Sequence, residues 1–415
     1  MDYNNLKNMK FADFSEVKTD ESSDKWKNSI TRQEKIYGKD YDLRNPFERD
    51  LHRIIHSNGY RRLKNKTQVF FAPHNDHICT RIEHVTHVSS VAETIAKFLN
   101  LNIHLVRAIA NGHDIGHAPF GHQGEYVLRD IAKEHKINDF WHEHNSLHFI
   151  DDIETLPDYN GFQQNLNLTY AVRDGIVCHC GEVDDKIIKP RNRNINLTNI
   201  QKGKQNAYTF EGCVVKIADK IGYIGRDIED ALAYDILTEA QTDDLEEIIK
   251  TTYPDIKLSE INTTVLIHKF IIDLCINSAP DKGLCFSEEC FKVMNTIKSF
   301  NYKNIYAHSR LTPFKNYVKL ILNTIFDKLD EYYNKDIAAI IERDKNFYPK
   351  LIKNFEEWLI KYSDYNLDKK NQLKLKNKQI YKISEQNDFR NAIIDFISGM
   401  SDNFAIDIFN EIISF

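Results

Sequence analysis

The run His113-Asp114-Ile115-Gly116-His117-Ala118-Pro119-Phe120-Gly121-His122-Gln123-Gly124-Glu125 crowds imidazoles and carboxylates into one short stretch. Adjacent His113 and Asp114 close a helix expected over residues 104–112, and at a helix end both side chains can turn toward one point. Such a mixture of nitrogen and oxygen donors suits a hard or borderline divalent cation. Two residues are not a site. A third donor stands at His84, opening a helix expected over residues 85–99. A fourth stands at Asp219, near the first turns of one expected over residues 214–233. Helical proteins build metal centres from side chains that separate packed helices project inward. Structural histidines satisfied by backbone carbonyls would not need Gly116, Gly121 and Gly124 to keep the backbone open beside them.

Working outward, the fold class follows from periodicity. Val85, Val88, Val91, Ala92, Ile95, Ala96 and Leu99 recur at threes and fours, the pattern of an amphipathic helix. Pro119 forces a break, and residues 123–136 read as a further helix. With only 15 Gly and 9 Pro in 415 residues and little strict alternation, the chain is expected to be all-α. Residues 186–205 read as a polar, basic loop, and residues 366–388 as an exposed or mobile lysine-rich connection. The expected organisation is an N-terminal segment (1–44), a histidine-rich core (45–237) and a helical C-terminal region (238–415).

Composition removes several classes of function. A formal net charge of -6 makes no global case for binding nucleic acid or an anionic membrane. The N-terminus lacks the apolar stretch of a signal peptide, and no run approaches a membrane span, so a cytoplasmic protein is expected. Seven cysteines, from Cys79 to Cys290, form no secreted disulfide framework. Cys178 and Cys180 flank His179, but without a second such pair they read as ordinary thiols.

At this point the sequence resembles a known family, the metal-dependent HD-domain phosphohydrolases, and within it the deoxyguanosine triphosphate triphosphohydrolase group. The likeness rests on Arg53-Ile54-Ile55-His56-Ser57, Arg61-Arg62-Leu63, Lys66-Thr67-Gln68-Val69-Phe70, Thr80-Arg81-Ile82-Glu83-His84 and the run quoted above. It continues through Glu143-His144-Asn145, Leu166-Asn167-Leu168-Thr169-Tyr170, Ala218-Asp219-Lys220-Ile221-Gly222-Tyr223 and Ser398-Gly399-Met400-Ser401-Asp402. It spans residues 45–405 and is weak over 237–301.

The resemblance implies that His84, His113, Asp114 and Asp219 hold a divalent metal, whether Mg, Mn or another transition metal. It implies a catalytic pair, His122 and Glu125, whose three-residue spacing puts both on one helix face so that Glu125 orients the imidazole. His117 and His144 are implied to line the phosphate side. Gln68 and Asp227 are implied partners of the sugar 3′-hydroxyl, Tyr223 packs beneath the sugar, and Arg81 and Lys220 face the polyphosphate. The implied reaction cleaves a deoxynucleoside triphosphate, dGTP-like, into deoxynucleoside and tripolyphosphate. A nucleotide or single-stranded DNA effector and a homo-oligomer, hexamer or tetramer, are implied with it. Ala118, Glu83, Val85 and Lys220 depart from the family's usual residues and leave the preferred base open. Two alternatives remain: another HD-type phosphohydrolase acting on a monophosphate, cyclic dinucleotide or alarmone, and a nucleic-acid-binding regulator with a vestigial site.

Of the 14 histidines between His52 and His148, only His84, His113, His117, His122 and His144 take such roles. The others, among them His52, His56, His74, His77 and His87, read as structural.

Overall fold

The structure, a computed structural model, describes residues 11–35, 42–71, 79–180, 185–253 and 261–414; His74 and His77 lie outside them. Helix α1, Pro46–His56, begins at a start signal in its own sequence. Asn45 accepts hydrogen bonds from the Phe47 and Glu48 amides at 3.0 and 2.9 Å, while Glu48 Oε2 accepts from the Asn45 amide at 2.9 Å. Helix α2, Arg81–Phe98, is opened likewise by Glu83, whose Oε2 accepts from the Thr80 amide at 2.7 Å. Asn102 caps α3, Ile103–Gly112. Then come α4, Gly121–Glu134; α5, His142–His148; α6, Tyr170–Val177; and α7, Phe210–Ala233. The C-terminal part adds α8, Thr263–Asn277; α9, Glu288–Asn301; α10, Thr312–Asp330; α11, Pro349–Tyr362; α12, Gln386–Ser398; and α13, Asp402–Ile413. Two small antiparallel ladders pair Thr155–Pro157 with Gln163–Asn165, and Ile187–Ile188 with Leu284–Cys285. The chain is all-α in class.

Packing follows the apolar stripes. Helix α2 lies against α3 and α7, α3 against α1 and α6, and α10 against α4, α12 and α13. Each Val, Ile, Leu or Phe buried at these seams contributes about 1.5–3 kcal/mol. One apolar core runs from Phe14 to Phe409, through all three expected regions. Residues before 45 are tied in as well: the Thr19 amide and hydroxyl donate to Glu211 of α7 at 2.9 and 2.8 Å. All seven cysteines are free and buried.

Three expectations shift. Helix α2 starts at Arg81, so His84 sits inside its first turn; α4 starts at Gly121 and takes in His122; and α7 starts at Phe210, which puts Asp219 in mid-helix. In the last case Thr209 Oγ1 accepts from the Gly212 amide at 3.2 Å and sets the start before the apolar period becomes obvious.

Residues 366–388 are largely exposed, as expected, and form a strap tied down by backbone hydrogen bonds. The Gln163 amide donates to Lys374 O at 3.0 Å and the Lys376 amide to Gln163 O at 2.9 Å; the Ile380 amide donates to Tyr362 O at 2.7 Å. Its lysines mislead because their stems lie along the surface: the Lys376 ammonium sits 3.7 Å from the centre of the Phe162 ring.

The strap is locked through His148. One ring nitrogen meets Asp152 at 3.0 Å, the other meets Asp395 at 3.1 Å, and the Tyr381 hydroxyl donates to Asp395 at 2.5 Å. Burial alone would lower the His148 pKa, but Asp395 and Asp152 outweigh it and push it up to about 10. Because the folded pKa is raised, this stabilisation is complete below the unfolded value of about 6.5 and is lost as pH rises through about 10. His148→Gln should cost about 2 kcal/mol in denaturant unfolding at pH 6 and flatten the loss of stability between pH 7 and 10. An unchanged alkaline profile would show that the ion pairs do not hold the strap.

Candidate functional site

Four ionisable side chains meet where α2, α3 and α7 come together. His84 from α2, His113 and Asp114 from the end of α3, and Asp219 from the middle of α7 are inward-facing. One donor atom each of His84, His113 and Asp114 lie within 4.8 Å of one another, as do those of His113, His179 and Asp219. His84 Nε2 is 2.9 Å from Asp219 Oδ1, and His113 Nε2 is 3.7 Å from Asp114 and 3.8 Å from Asp219. His179, weighed in the sequence only with its flanking cysteines and set aside, belongs to this cluster; its ring centre lies 4.9 Å from that of His113.

The donor set fits a divalent metal on its own chemistry. His113 Nδ1 donates to Ala110 O at 2.7 Å, which fixes the tautomer and leaves Nε2 buried without a hydrogen bond, aimed at the two carboxylates. Burial lowers the His113 pKa to about 4, so the ring is an uncharged ligand at neutral pH. The Asp219 carboxyl sits at about 2: burial opposes ionisation, but the His84 hydrogen bond and charge prevail. Asp114 is likewise held well below the carboxylate range, against burial, by Arg81.

Arg81 is spent on protein groups. Its Nη1 donates to Asp114 Oδ2 at 2.6 Å, and its other nitrogens reach Thr67 O and Gln68 O at 3.3 Å. A guanidinium at the first position of α2, buried beside a carboxylate that must stay ionised, settles there rather than in solvent.

At the expected His122–Glu125 pair the structure shows other partners for the carboxylate. Glu125 Oε2 accepts from His142 Nδ1 at 2.8 Å and Oε1 from Arg129 at 2.6 Å. His122 is exposed, its ring centre 5.3 Å from that of His117, and no hydrogen bond joins it to Glu125 among those described. The three-residue spacing does bring both onto one face of α4, but the buried Glu125 carboxylate turns to the cation that α5 offers. His142, left among the structural histidines by the sequence, also stacks on His117 at 4.6 Å. His144, expected to line the phosphate side, instead lies against Trp141 at 5.4 Å. Two residues along a helix is about 200° of rotation, so His142 and His144 point to opposite sides. The alternation His142-Glu143-His144 was the available signal, and only helix phase decides which histidine faces inward.

These histidines diverge electrostatically. Burial, then Arg81, pushes His117 well below the usual range, and desolvation, then Arg81, lowers His122. Burial would lower His142 too, but Glu143 and Glu125 raise it to about 10.

Asp219, Tyr223 and Asp227 recur every four residues and share one face of α7. Burial raises the Asp227 carboxyl to about 7, and the Tyr306 hydroxyl donates to it. Lys220 is buried one residue beyond Asp219. Gln68 is buried with its Oε1 unpartnered. Asp402, at the start of α13, clamps the rim: its two oxygens accept from the Thr67 amide at 2.8 Å and the Phe120 amide at 2.7 Å. Gly116 is required by close approach, since a Cβ there would come 2.2 Å from the Ser146 amide nitrogen.

The HD domain family matches residues 81–223, which contain the four-residue cluster, His142 and His179. A deoxyguanosinetriphosphate triphosphohydrolase-like protein of Caldanaerobacter subterraneus subsp. tengcongensis is 32% identical over 89% of this chain and 86% of its own length. Proteins of the same name from Rickettsia felis (33% identical; 89% of this chain, 92% of theirs) and Desulfatibacillum aliphaticivorans (34%; 72% and 76%) are also similar. The chain belongs to this family of HD-domain deoxyguanosinetriphosphate triphosphohydrolase-like proteins. By that membership and its His/Asp clusters it is a hydrolase with a metal-binding centre. No described helix is long and apolar enough to cross a membrane.

Replacing a group behind a metal ligand costs about 10–100-fold in affinity, so Asp219→Asn should weaken metal binding by at least about 100-fold. Metal content after dialysis checks this; wild-type content in a folded Asp219→Asn variant would remove Asp219 from the ligand set.

Proposed function

We propose that the protein hydrolyses a deoxynucleoside triphosphate, dGTP or a close relative, to the deoxynucleoside and inorganic tripolyphosphate. The observation that carries this reading is the shared face of α7. Asp219 in the metal-ligand cluster and the buried Asp227 lie eight residues apart, about 12 Å along the axis, which leaves room for a sugar phosphate between them. Family membership supports it. A divalent cation on His84, His113, Asp114 and Asp219 supplies Lewis-acid polarisation of a phosphate oxygen and an acidified water.

The remaining steps belong to side chains. Histidines whose environments drive their pKa values apart divide the acid and base roles. His142, charged at neutral pH and held by Glu125 and Glu143, donates a proton to the departing sugar 5′ oxygen. His122, uncharged at the rim, takes the proton of the attacking water, and uncharged His117 between them accepts a hydrogen bond without changing its charge. Glu125 thereby acts through His142 rather than through His122. At the sugar end, the unpartnered Gln68 Oε1 and the Asp227 carboxyl are partners for a 3′-hydroxyl, and Tyr223 between Asp219 and Asp227 leaves no room for a 2′-hydroxyl. Lys220 faces the polyphosphate, while Arg81 acts by keeping Asp114 ionised. A homo-oligomer of four or six chains, answering to a nucleotide or single-stranded DNA, completes the reading and rests on the family likeness alone.

Metal-loaded protein incubated with each deoxynucleoside triphosphate should release deoxynucleoside and tripolyphosphate in equal amounts; pyrophosphate or orthophosphate in their place would sink the proposal. His122→Ala should lose about two to four orders of magnitude in turnover with the fold intact. In Glu125→Gln, losing a carboxylate that raises the His142 pKa should move the alkaline limb of the rate profile to lower pH. A limb that stays in place would remove His142 as the donor.

A further inference from the structure

His117 differs from its neighbouring histidines in how it is held. His113 Nδ1 is tied to Ala110 O and His142 Nδ1 to Glu125, whereas His117 Nδ1 is buried without a hydrogen bond. Its ring is located by contact, stacked on His142 at 4.6 Å and edge-on to His122 at 5.3 Å. Where such a ring stands is set by its backbone.

That backbone is gripped on both sides. Upstream, Asn145 Nδ2 donates to Gly116 O at 2.6 Å; downstream, the Lys66 side chain donates to His117 O. Each carbonyl belongs to a rigid peptide plane, so fixing the two planes that flank its Cα fixes φ and ψ of His117 and with them the direction of its Cβ. Both grips lead back to Ser398, the last residue of α12: Lys66 donates to its carbonyl at 2.9 Å and Asn145 to its hydroxyl at 3.3 Å.

Lys66 is 1% exposed. Its own carbonyl accepts from the Arg81 amide at 3.0 Å, which fixes its main chain to the start of α2. Burial, then the charge of Arg62, lowers its pKa to about 7. Burying an amine in this way is costly, and an apolar side chain of similar length would fill the space without that cost. What such a chain lacks is donors: charged or neutral, the amine keeps the two N–H bonds that the His117 and Ser398 carbonyls need.

We propose that Lys66 is a positioning residue of the reaction: through the His117 carbonyl it holds that imidazole between His142 and His122. The proposal rests on reading those three histidines as the proton-moving group of a triphosphohydrolase. Lys66 acts from behind the loop, with Ser398 as the fixed point against which His117 is set.

The test is a double-mutant cycle. Full-length, metal-loaded Lys66→Met and His117→Ala, alone and combined, are assayed for tripolyphosphate release from dGTP, with circular dichroism and bound metal measured on each. Lys66→Met should lose about 100-fold in kcat, the cost of a small misplacement, with KM and metal content near those of wild type. The combined variant should lose no more than His117→Ala alone, because Lys66 acts through that ring. Losses that multiply would overturn the proposal, as would a folded Lys66→Met with wild-type kcat. If Lys66→Met does not fold, the shorter and polar Lys66→Gln goes through the same cycle.

A second readout needs no turnover. In nitrogen-15 spectra of histidine-labelled protein, the His117 ring signals, assigned by their absence from His117→Ala, should shift in the Lys66 variant while those of His84 stay. Unmoved His117 signals would overturn the positioning role whatever the substrate. Should wild type release no tripolyphosphate from any deoxynucleoside triphosphate, the substrate reading falls and the ring signals alone decide for Lys66.

Discussion

Placing four ionisable groups at one point inside an apolar helical core is the constraint to which the rest of the structure answers. His84, His113, Asp114 and Asp219 meet because α2, α3 and α7 pack on one another, and that packing buries the first three and leaves Asp219 half-buried. Each carboxylate must then be met by charge from the protein or from a bound ion. Arg81, at the very start of α2, meets Asp114, and His84 meets Asp219. The same helices that bring the four groups together thus bring their partial neutralisation.

Around this centre lies a second shell of charge, arranged by α4 and α5. Glu125 stands between Arg129 and His142, and Glu143 adds its charge to the same imidazole. His117, stacked on His142, feels instead the guanidinium of Arg81 and stays uncharged. Neighbouring imidazoles are thereby held in opposite protonation states by the carboxylates and the guanidinium around them. This separation, more than the number of histidines, suits the site to moving protons at neutral pH.

Much of this was legible in the sequence, and the failures have identifiable causes. The helix that carries His84 shows its period in Val85 to Leu99, because local sequence and tertiary burial agree there. The clustering of His84, His113, Asp114 and Asp219 was legible for the same reason, since a side chain's face follows from its place in a regular helix. Glu125 was assigned the wrong partner because intrahelical spacing says which side chains share a face, not what the neighbouring helix presents. His142 and His144 could not be told apart without the phase of a helix only two turns long. The strap at residues 366–388 looked mobile because its anchors are backbone hydrogen bonds to Gln163 and Tyr362, which leave no mark in composition. The Asp227–Tyr306 pairing fell across a stretch whose sequence carries little family likeness.

Asp402 has a consequence for how the protein is made. A residue near the C-terminus supplies both oxygens that hold the Thr67 and Phe120 amides, and so sets the rim on which Gln68 and His122 stand. Asp402 follows Thr67 by 335 residues, and N-terminal portions fold first as a chain emerges. The helices bearing the His/Asp cluster can therefore collapse early, while the rim takes its shape only once α13 has docked. A chain cut short before α13 would carry the histidines and aspartates without the clamp that shapes the rim around them.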